Sequence, residues 1–222
     1  LFVLSGTVIL ALFFVWLVLQ KVGEIKSGTP GQAGAGSFSA GLLNKTKTGT
    51  ALQIDSPDSP SVGPANAKVT VVEFGDFQCP YCLQAFPIIR ELETMYQTRV
   101  RFVYRHFPLE SIHPFAEPSA RAAVCAHEQK KFWPYHDKIF QNQEHLETAY
   151  LKIYATQVGL DDAKFAACLD SDRAAQKVAQ DFQDGVNAGV SATPTWFVNG
   201  RKIEGVIPFD KFKQLIEQEL NK

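Results

Sequence analysis

An α/β fold with an inserted block of helices is predicted from the order in which patterns appear along the chain. Residues 68–74, KVTVVEF, and 100–106, VRFVYRH, are β-branched apolar runs on either side of a helical stretch. A strand–helix–strand unit whose first strand is apolar on both faces belongs in a parallel sheet. Residues 114–188 then read as helices throughout. A hairpin and a final helix close the chain, so the predicted order is β-α-β, helical block, β-β-α.

The chain opens on LFVLSGTVILALFFVWLVL, residues 1–19, without a single charge before Gln20 and Lys21. About 20 apolar residues span a bilayer as a helix, whereas the apolar run of a signal peptide is roughly 7–15 long. Residues 1–20 are expected to form a transmembrane anchor. A cleaved signal sequence is the alternative, because Ala33-Gly34-Ala35 imitates a cleavage site. Residues 21–50 turn to Gly, Ser, Ala, Thr and Lys, as in SGTPGQAGAGSFSA, with no helical or strand period. That composition buries too little apolar surface to order itself and is expected to be a flexible linker. Its average reach is on the order of 30 Å. Residues 51–222 are left as one domain. With 45% hydrophobic residues the chain can build a core, and a formal net charge of −1 lacks the basic excess of a nucleic-acid binder.

Within the domain, ALQID at 51–55 is expected to be a short edge strand and DSPDSPSVGPANA a loop. KVTVVEF is the buried strand. CLQAFPIIRELETMY, residues 82–96, has helical spacing, with Pro87 as a kink point. VRFVYRH is the second strand. PFAEPSARAAVCAHEQ, KFWPYHDKIFQNQ, LKIYATQVG, DDAKFAACLDS and AAQKVAQDFQDGVNAG follow as helices, with Gly159, Gly185 and Gly189 as stops. TWFV and RKIEG pair around an Asn199-Gly200 turn. The last helix puts Phe209, Phe212, Leu215, Ile216 and Leu220 on one face.

The chemistry centres on FGDFQCPYCLQAF, residues 74–86. Pro80 favours the first helical position, which places Cys79 at the N-cap. Its sulfur then faces the unpaired amides of Tyr81 and Cys82 and the positive end of the helix dipole, which favour a thiolate. Such thiols titrate at roughly 3.5–7.5 instead of about 8.5. Cys82, one turn further in, is expected to be the more buried partner that resolves a mixed disulfide. The redox role requires the Cys79 sulfur to be reachable and to titrate below an ordinary thiol. Zinc needs about four ligands, usually a second close pair, and Cys125 and Cys168 stand singly. Two soft thiolates could instead capture copper(I), and the same two cysteines could form a purely structural disulfide. No metal and no cofactor is expected. The five histidines are scattered, and Phe132, Trp133 and Tyr135 read as packing. Phe77 and Tyr81 flank the cysteines and are expected either to form an apolar rim for unfolded clients or to pack on the helix start.

VVEFGDFQCPYC, the helical stretch with CAHEQKKFWPYHDKIFQNQ, and GVSATPTWFVNGRKIEG together resemble the DsbA-like thiol:disulfide oxidoreductases. The resemblance runs from about Asp55 to the C-terminus. It implies a thioredoxin-like fold with an inserted helical domain, which agrees with the order of elements above. It also implies that Thr193-Pro194 is a cis peptide bond beside the active cysteines, leaving the Thr193 backbone free to pair with an extended client. By strand alternation Glu73 shares a face with Val69 and Val71. The resemblance makes it a buried carboxyl that relays a proton to and from Cys82, where residues alone allow a solvated strand end. A catalytic pair of this kind implies an oxidising compartment, in which Cys125 and Cys168 are expected to form a structural disulfide; two buried free thiols are the alternative.

The direction of exchange is less determined. Members of the family carry Pro-His between the cysteines, and here Tyr81 replaces the histidine and adds no charge at neutral pH. Pro-Tyr and Thr before the cis-proline also occur in isomerase-type relatives, which dimerise through a folded N-terminal module. The chain offers an anchor and a linker there, so a dithiol oxidase is preferred, with isomerase or reductase as the alternative. The implied clients are reduced, unfolded exported proteins. The implied re-oxidant is a membrane quinone-linked partner of the DsbB or vitamin-K-epoxide-reductase-like kind. The catalytic domain is then expected outside the cytoplasm, at the periplasm or the outer face of the membrane. A binding module without turnover, holding metal or clients, is the competing function of a different class.

Overall fold

The computed structural model describes residues 54–222. The expected anchor and linker, with residues 51–53 of the expected edge strand, lie outside the described residues. Among the described residues no helix is long and apolar enough to cross a membrane.

Five strands form one mixed sheet in the order β1-β3-β2-β4-β5. They are β1 (Ser61–Val62), β2 (Val69–Gly75), β3 (Val100–His106), β4 (Thr195–Val198) and β5 (Arg201–Glu204). β2 and β3 run parallel, with Glu73 opposite Tyr104. β4 runs antiparallel to β2, with Glu73 opposite Trp196. The edge strand is a correction. Ile54 and Asp55 form a bend, and β1 arises instead from the Pro/Ser-rich segment read as loop. Two residues of pairing are too few to leave an alternating pattern.

Helix α1 (Pro80–Tyr96) crosses from β2 to β3 and runs on through Pro87. With α7 (Phe209–Leu220) it covers one sheet face. Val69, Val71, Phe102, Trp196 and Val198 from the strands meet Ile89, Leu92, Phe212 and Ile216 there. Val72, Phe74, Val103 and Phe197 point to the other face, where Phe107 and Phe182 stack at 4.5 Å. The period of two in β2 thus feeds two separate cores, which is why the strand reads as apolar throughout.

Five helices stand between β3 and β4: α2 (Ala116–Glu128), α3 (Phe132–Phe140), α4 (Thr148–Gln157), α5 (Asp162–Leu169) and α6 (Asp172–Asn187). Phe132 and Tyr135 are buried among them and Trp133 packs at their edge, as the sequence suggests. Gly159 and Gly189 adopt φ of 72° and 77° at helix ends, the left-handed conformation that glycine takes without penalty. Gly185 is no stop, however; α6 continues through it. A Cβ there would stand 2.6 Å from the Phe107 ring, so glycine lets the helix press onto the sheet. Asn199 and Gly200, at φ 46° and 83°, make the tight turn between β4 and β5.

One ionic cluster ties the helical block to the sheet. Arg105 of β3 is fully buried and its Nε donates to Asp181 of α6 at 2.8 Å. Its second arm reaches Asp184 at 2.6 Å, and Lys177 completes the group at 2.7 Å from Asp181. Breaking a buried pair strands a charge, so this cluster fixes how α6 sits on β3.

Candidate active site

β2 ends at Gly75, and Asp76, Phe77 and Gln78 turn the chain into α1. Cys79 is the N-cap, with φ −71° and ψ 124°, and Pro80 occupies the first helical turn. The turn is held from several sides. The Cys79 amide donates to the Asp76 carbonyl at 3.1 Å. The Asp76 carboxylate accepts from Gln78 N at 2.8 Å and Leu109 N at 2.9 Å, and meets His113 Nδ1 at 2.7 Å. From the loop after α3, Gln143 Nε2 donates to the carbonyls of Phe77 and Cys79 at 2.9 and 3.0 Å. The cysteine pair thus stands on a turn with little freedom to drift.

Both cysteines are thiols here. The Cys79 thiol donates to the Thr193 carbonyl at 3.4 Å, and Asp76 N donates to the Cys82 sulfur at 3.5 Å. In this dithiol form no cap hydrogen bond runs to the Cys79 side chain. Its anion is favoured all the same. The Cys82 thiol as hydrogen-bond donor, then Thr193 and the amides of Cys82 and Tyr81, outweigh burial and lower Cys79 to about 6. Cys82 goes the other way, raised by burial, by its bond to Cys79 and by the Glu73 carboxyl. Two identical side chains three residues apart are split into an anion and a proton holder.

One half of the accessibility expectation is corrected. Cys79 is only 3% exposed and Cys82 1%, so the first sulfur is not an open nucleophile. It meets the Thr193 carbonyl, and Pro80 and Tyr81, which follow it in the chain, are exposed.

The remaining residues singled out in the sequence fall as follows. Thr193-Pro194 is a cis peptide bond, and the Thr193 carbonyl meets Cys79. The Thr193 hydroxyl is buried without a hydrogen-bond partner in this dithiol form, and it is a donor that favours the Cys79 anion. Glu73 lies on the β2 face that carries Val69 and Val71 and is 7% exposed. Burial foremost, then the charge of Glu93 and of Cys79, raises its carboxyl well above the usual range. Tyr81 is 61% exposed beside the cysteines. Phe77 is a correction to the apolar rim: at 1% exposure it stacks on Tyr104 at 5.4 Å and packs against Phe140. Strand-to-helix geometry turns it inward, towards the helical block. Cys125 and Cys168 form a disulfide between α2 and α5. Among the described residues no group of three or more His, Cys, Asp or Glu could hold a metal.

Three contributors escaped the sequence reading. Asp76 stood inside the quoted motif, and an aspartate in a turn, whose side chain accepts the amide two residues on, is an Asx-turn signal that could have found it. Glu93 is an acidic residue among the inward-facing Ile89, Leu92 and Tyr96 of α1, and that break in the apolar stripe is visible in the sequence. Gln143 lies 64 residues from Cys79, and no local pattern announces it.

The chain matches the family model described as Thioredoxin (Thioredoxin_4) over residues 55–218. It is 41% identical over 191 residues to the Na(+)/H(+) antiporter NhaA 3 of Salinispora tropica, covering 86% of this chain and 28% of that protein. It is 38% identical over 158 residues to the Na(+)/H(+) antiporter NhaA of Herminiimonas arsenicoxydans, 69% of this chain and 25% of that one. The chain thus spans about a quarter of the length of these relatives. In structure it is similar to BdbD from Bacillus subtilis, with a TM-score of 0.68, 26% identity and coverage of 74% and 94% of the two chains. It is also similar to a thioredoxin-like oxidoreductase from Silicibacter pomeroyi, with a TM-score of 0.70, 24% identity and coverage of 79% and 99%. A Cys-Pro-Tyr-Cys helix start, the helical insertion and the family match lead to one assignment: the chain belongs to the thioredoxin family.

Proposed function

We propose that residues 51–222 work as a dithiol oxidase outside the cytoplasm, held at a membrane through residues 1–20 and a linker over 21–50. The observation that carries the direction is the split between the two thiols. A Cys79 lowered to about 6 stabilises the reduced enzyme at neutral pH. A stabilised dithiol makes the disulfide form the stronger oxidant.

The steps follow from the positions of the groups. A client thiolate attacks the Cys79 sulfur of the disulfide form; the Cys79–Cys82 bond breaks and its electron pair leaves on Cys82. Glu73 supplies the proton that Cys82 takes up. A second client thiolate then attacks the client sulfur, and Cys79 departs as the stabilised thiolate. The client gains a disulfide and the enzyme ends as a dithiol. Thr193 and Pro194 offer the backbone edge against which an extended client lies, and Tyr81 supplies an exposed apolar contact beside it. Reduced exported proteins suit this site, and a membrane quinone-linked protein of the DsbB or vitamin-K-epoxide-reductase-like kind suits the return step. The likeness to proteins named Na(+)/H(+) antiporters supports a location at a membrane; sodium–proton exchange is not assigned to this domain.

The test is the Cys79–Cys82 reduction potential in glutathione buffers. We expect a value well above the thioredoxin level of about −270 mV, towards the about −120 mV of a strong oxidant. A value at the thioredoxin level would replace oxidase by reductase. Tyr81 is the feature that favours the isomerase reading, since it brings no positive charge beside the thiolate. Efficient reshuffling of a scrambled substrate with poor oxidation of a reduced one would decide for it.

A further inference from the structure

We infer that Glu93 is a positioning residue for proton transfer: through one bridging water it links Glu73 to the protein surface at Arg90, so that Glu73 can be reloaded in each turn of exchange. This rests on the relay reading of Glu73 above.

Four observations meet at one spot. Glu73 from β2 and Glu93 from α1 line the same small cavity, of about 10 Å³, together with Tyr104, Trp133 and Trp196. A space of this size holds about one water. Both carboxyls are nearly closed off, at 7% and 6% exposure. Tyr104 lines the cavity as well, and its hydroxyl is buried without a hydrogen-bond partner. A water there has the carboxyls of Glu73 and Glu93 to bond, within the usual two to four partners of a buried water. On its far side Glu93 is hydrogen-bonded to Arg90. Arg90 also meets Asp137 of α3 at 3.2 Å, and its side chain is 34% exposed. The path runs from Cys82 through Glu73, water and Glu93 to a solvated ion pair.

The energetics fit a shared proton. The Glu93 charge adds to the rise of Glu73, since two buried carboxylates so placed resist ionising together. Burial lifts Glu93 to about 7, with Arg90 pulling it back and Asp137 adding to the rise. The groups that face the pair are Arg90 from α1 and Asp137 from α3, Tyr104 from β3, and the thiols of Cys79 and Cys82. Trp133 and Trp196 close the site and carry no charge. During client oxidation the Cys79–Cys82 bond breaks, and Cys82 receives the electron pair and the Glu73 proton. The Glu73 carboxylate regains a proton across the water from Glu93, and Glu93 regains one from solvent at Arg90. During re-oxidation the same proton travels outward.

The experiment follows reduction of the oxidised protein by a dithiol peptide between pH 5 and 9, in wild type, Glu93→Gln, Glu93→Asp, Arg90→Met and Glu73→Gln. The wild-type rate should bend near pH 7, where Glu93 titrates. Glu93→Gln should lose that bend and slow the reaction by roughly tenfold, a modest share of what proton transfer contributes. Glu93→Asp should restore the bend. Arg90→Met, which leaves both carboxyls in place, should move it to higher pH. A Glu93→Gln profile that overlays wild type, or an Arg90→Met bend that stays put, overturns the inference. Glu73→Gln separates the two levels: if it leaves the rate unchanged, the relay itself fails; if it slows the rate while Glu93→Gln does not, the relay stands and Glu93 has no part in it.

Discussion

Two pairs of cysteines lie in one hydrophobic cluster of this protein, all four nearly sealed from solvent. Cys125 and Cys168 join helices α2 and α5 across 43 residues of sequence and are bonded to each other. Cys79 and Cys82 share a single helical turn and are free. Burial therefore does not separate the staple from the redox pair. The difference lies in what surrounds the sulfurs. The helix-spanning pair sits among Ala, Phe and Leu side chains, which offer an anion nothing. The helix-start pair has amides of the first turn, the Thr193 side chain and a carboxyl within reach. An apolar setting makes a disulfide inert; donors that favour the anion of one sulfur over that of the other make it exchange.

The strongest way to break that contrast is Cys79→Ser. It should lower client oxidation by more than about a thousandfold, while Cys168→Ser with Cys125→Ser should leave the folded protein's exchange rate within a few-fold of wild type. Equal losses in an insulin or peptide oxidation assay would erase the distinction between the pairs. On stability the order reverses. Removing the Cys125–Cys168 bond should cost about 4 kcal/mol by loop closure over its span, read as a shift of the urea midpoint. Cys79→Ser should shift that midpoint little.

A pH titration sharpens the contrast further. Thiolate absorbance of the reduced protein should rise with a midpoint of about 6 and vanish in Cys79→Ser. The sign for stability follows. Cys79 titrates lower folded than unfolded, so its contribution to the reduced protein is complete above the ordinary thiol value near 8.5 and is lost as pH falls through about 6. The reduced form should therefore lose denaturant resistance relative to the oxidised form between those limits. The smallest effect is expected at Thr193→Val, which deletes the buried hydroxyl and should raise the Cys79 midpoint. An unchanged midpoint would assign the effect to the Cys82 thiol and the first-turn amides alone.

Much of this was legible in the chain. The β-α-β, helical block, β-β-α order follows from the period of β2, β3 and α7 and from the turn residues Asn199 and Gly200, because these signals are local. The Cys79 N-cap was readable from Pro80. The rim reading of Phe77 and the stop at Gly185 failed for the same reason as each other. Which way a turn side chain points, and how near a helix presses on a sheet, depend on elements distant in sequence.

The sequence by itself determined the helix start under Cys79, the alternation that puts Glu73 on an inner face, and the apolar stripes that pack α1 and α7. Each is set by bonds and spacings within a few residues. Only the tertiary structure decided that Gln143 and His113 hold the active turn, that the Thr193 carbonyl meets Cys79, and that Glu73 meets Glu93 at one cavity. Those contacts join residues far apart along the chain. The free energies they set, above all the parting of two thiol affinities for a proton, depend on burial and on donors that no stretch of sequence displays alone.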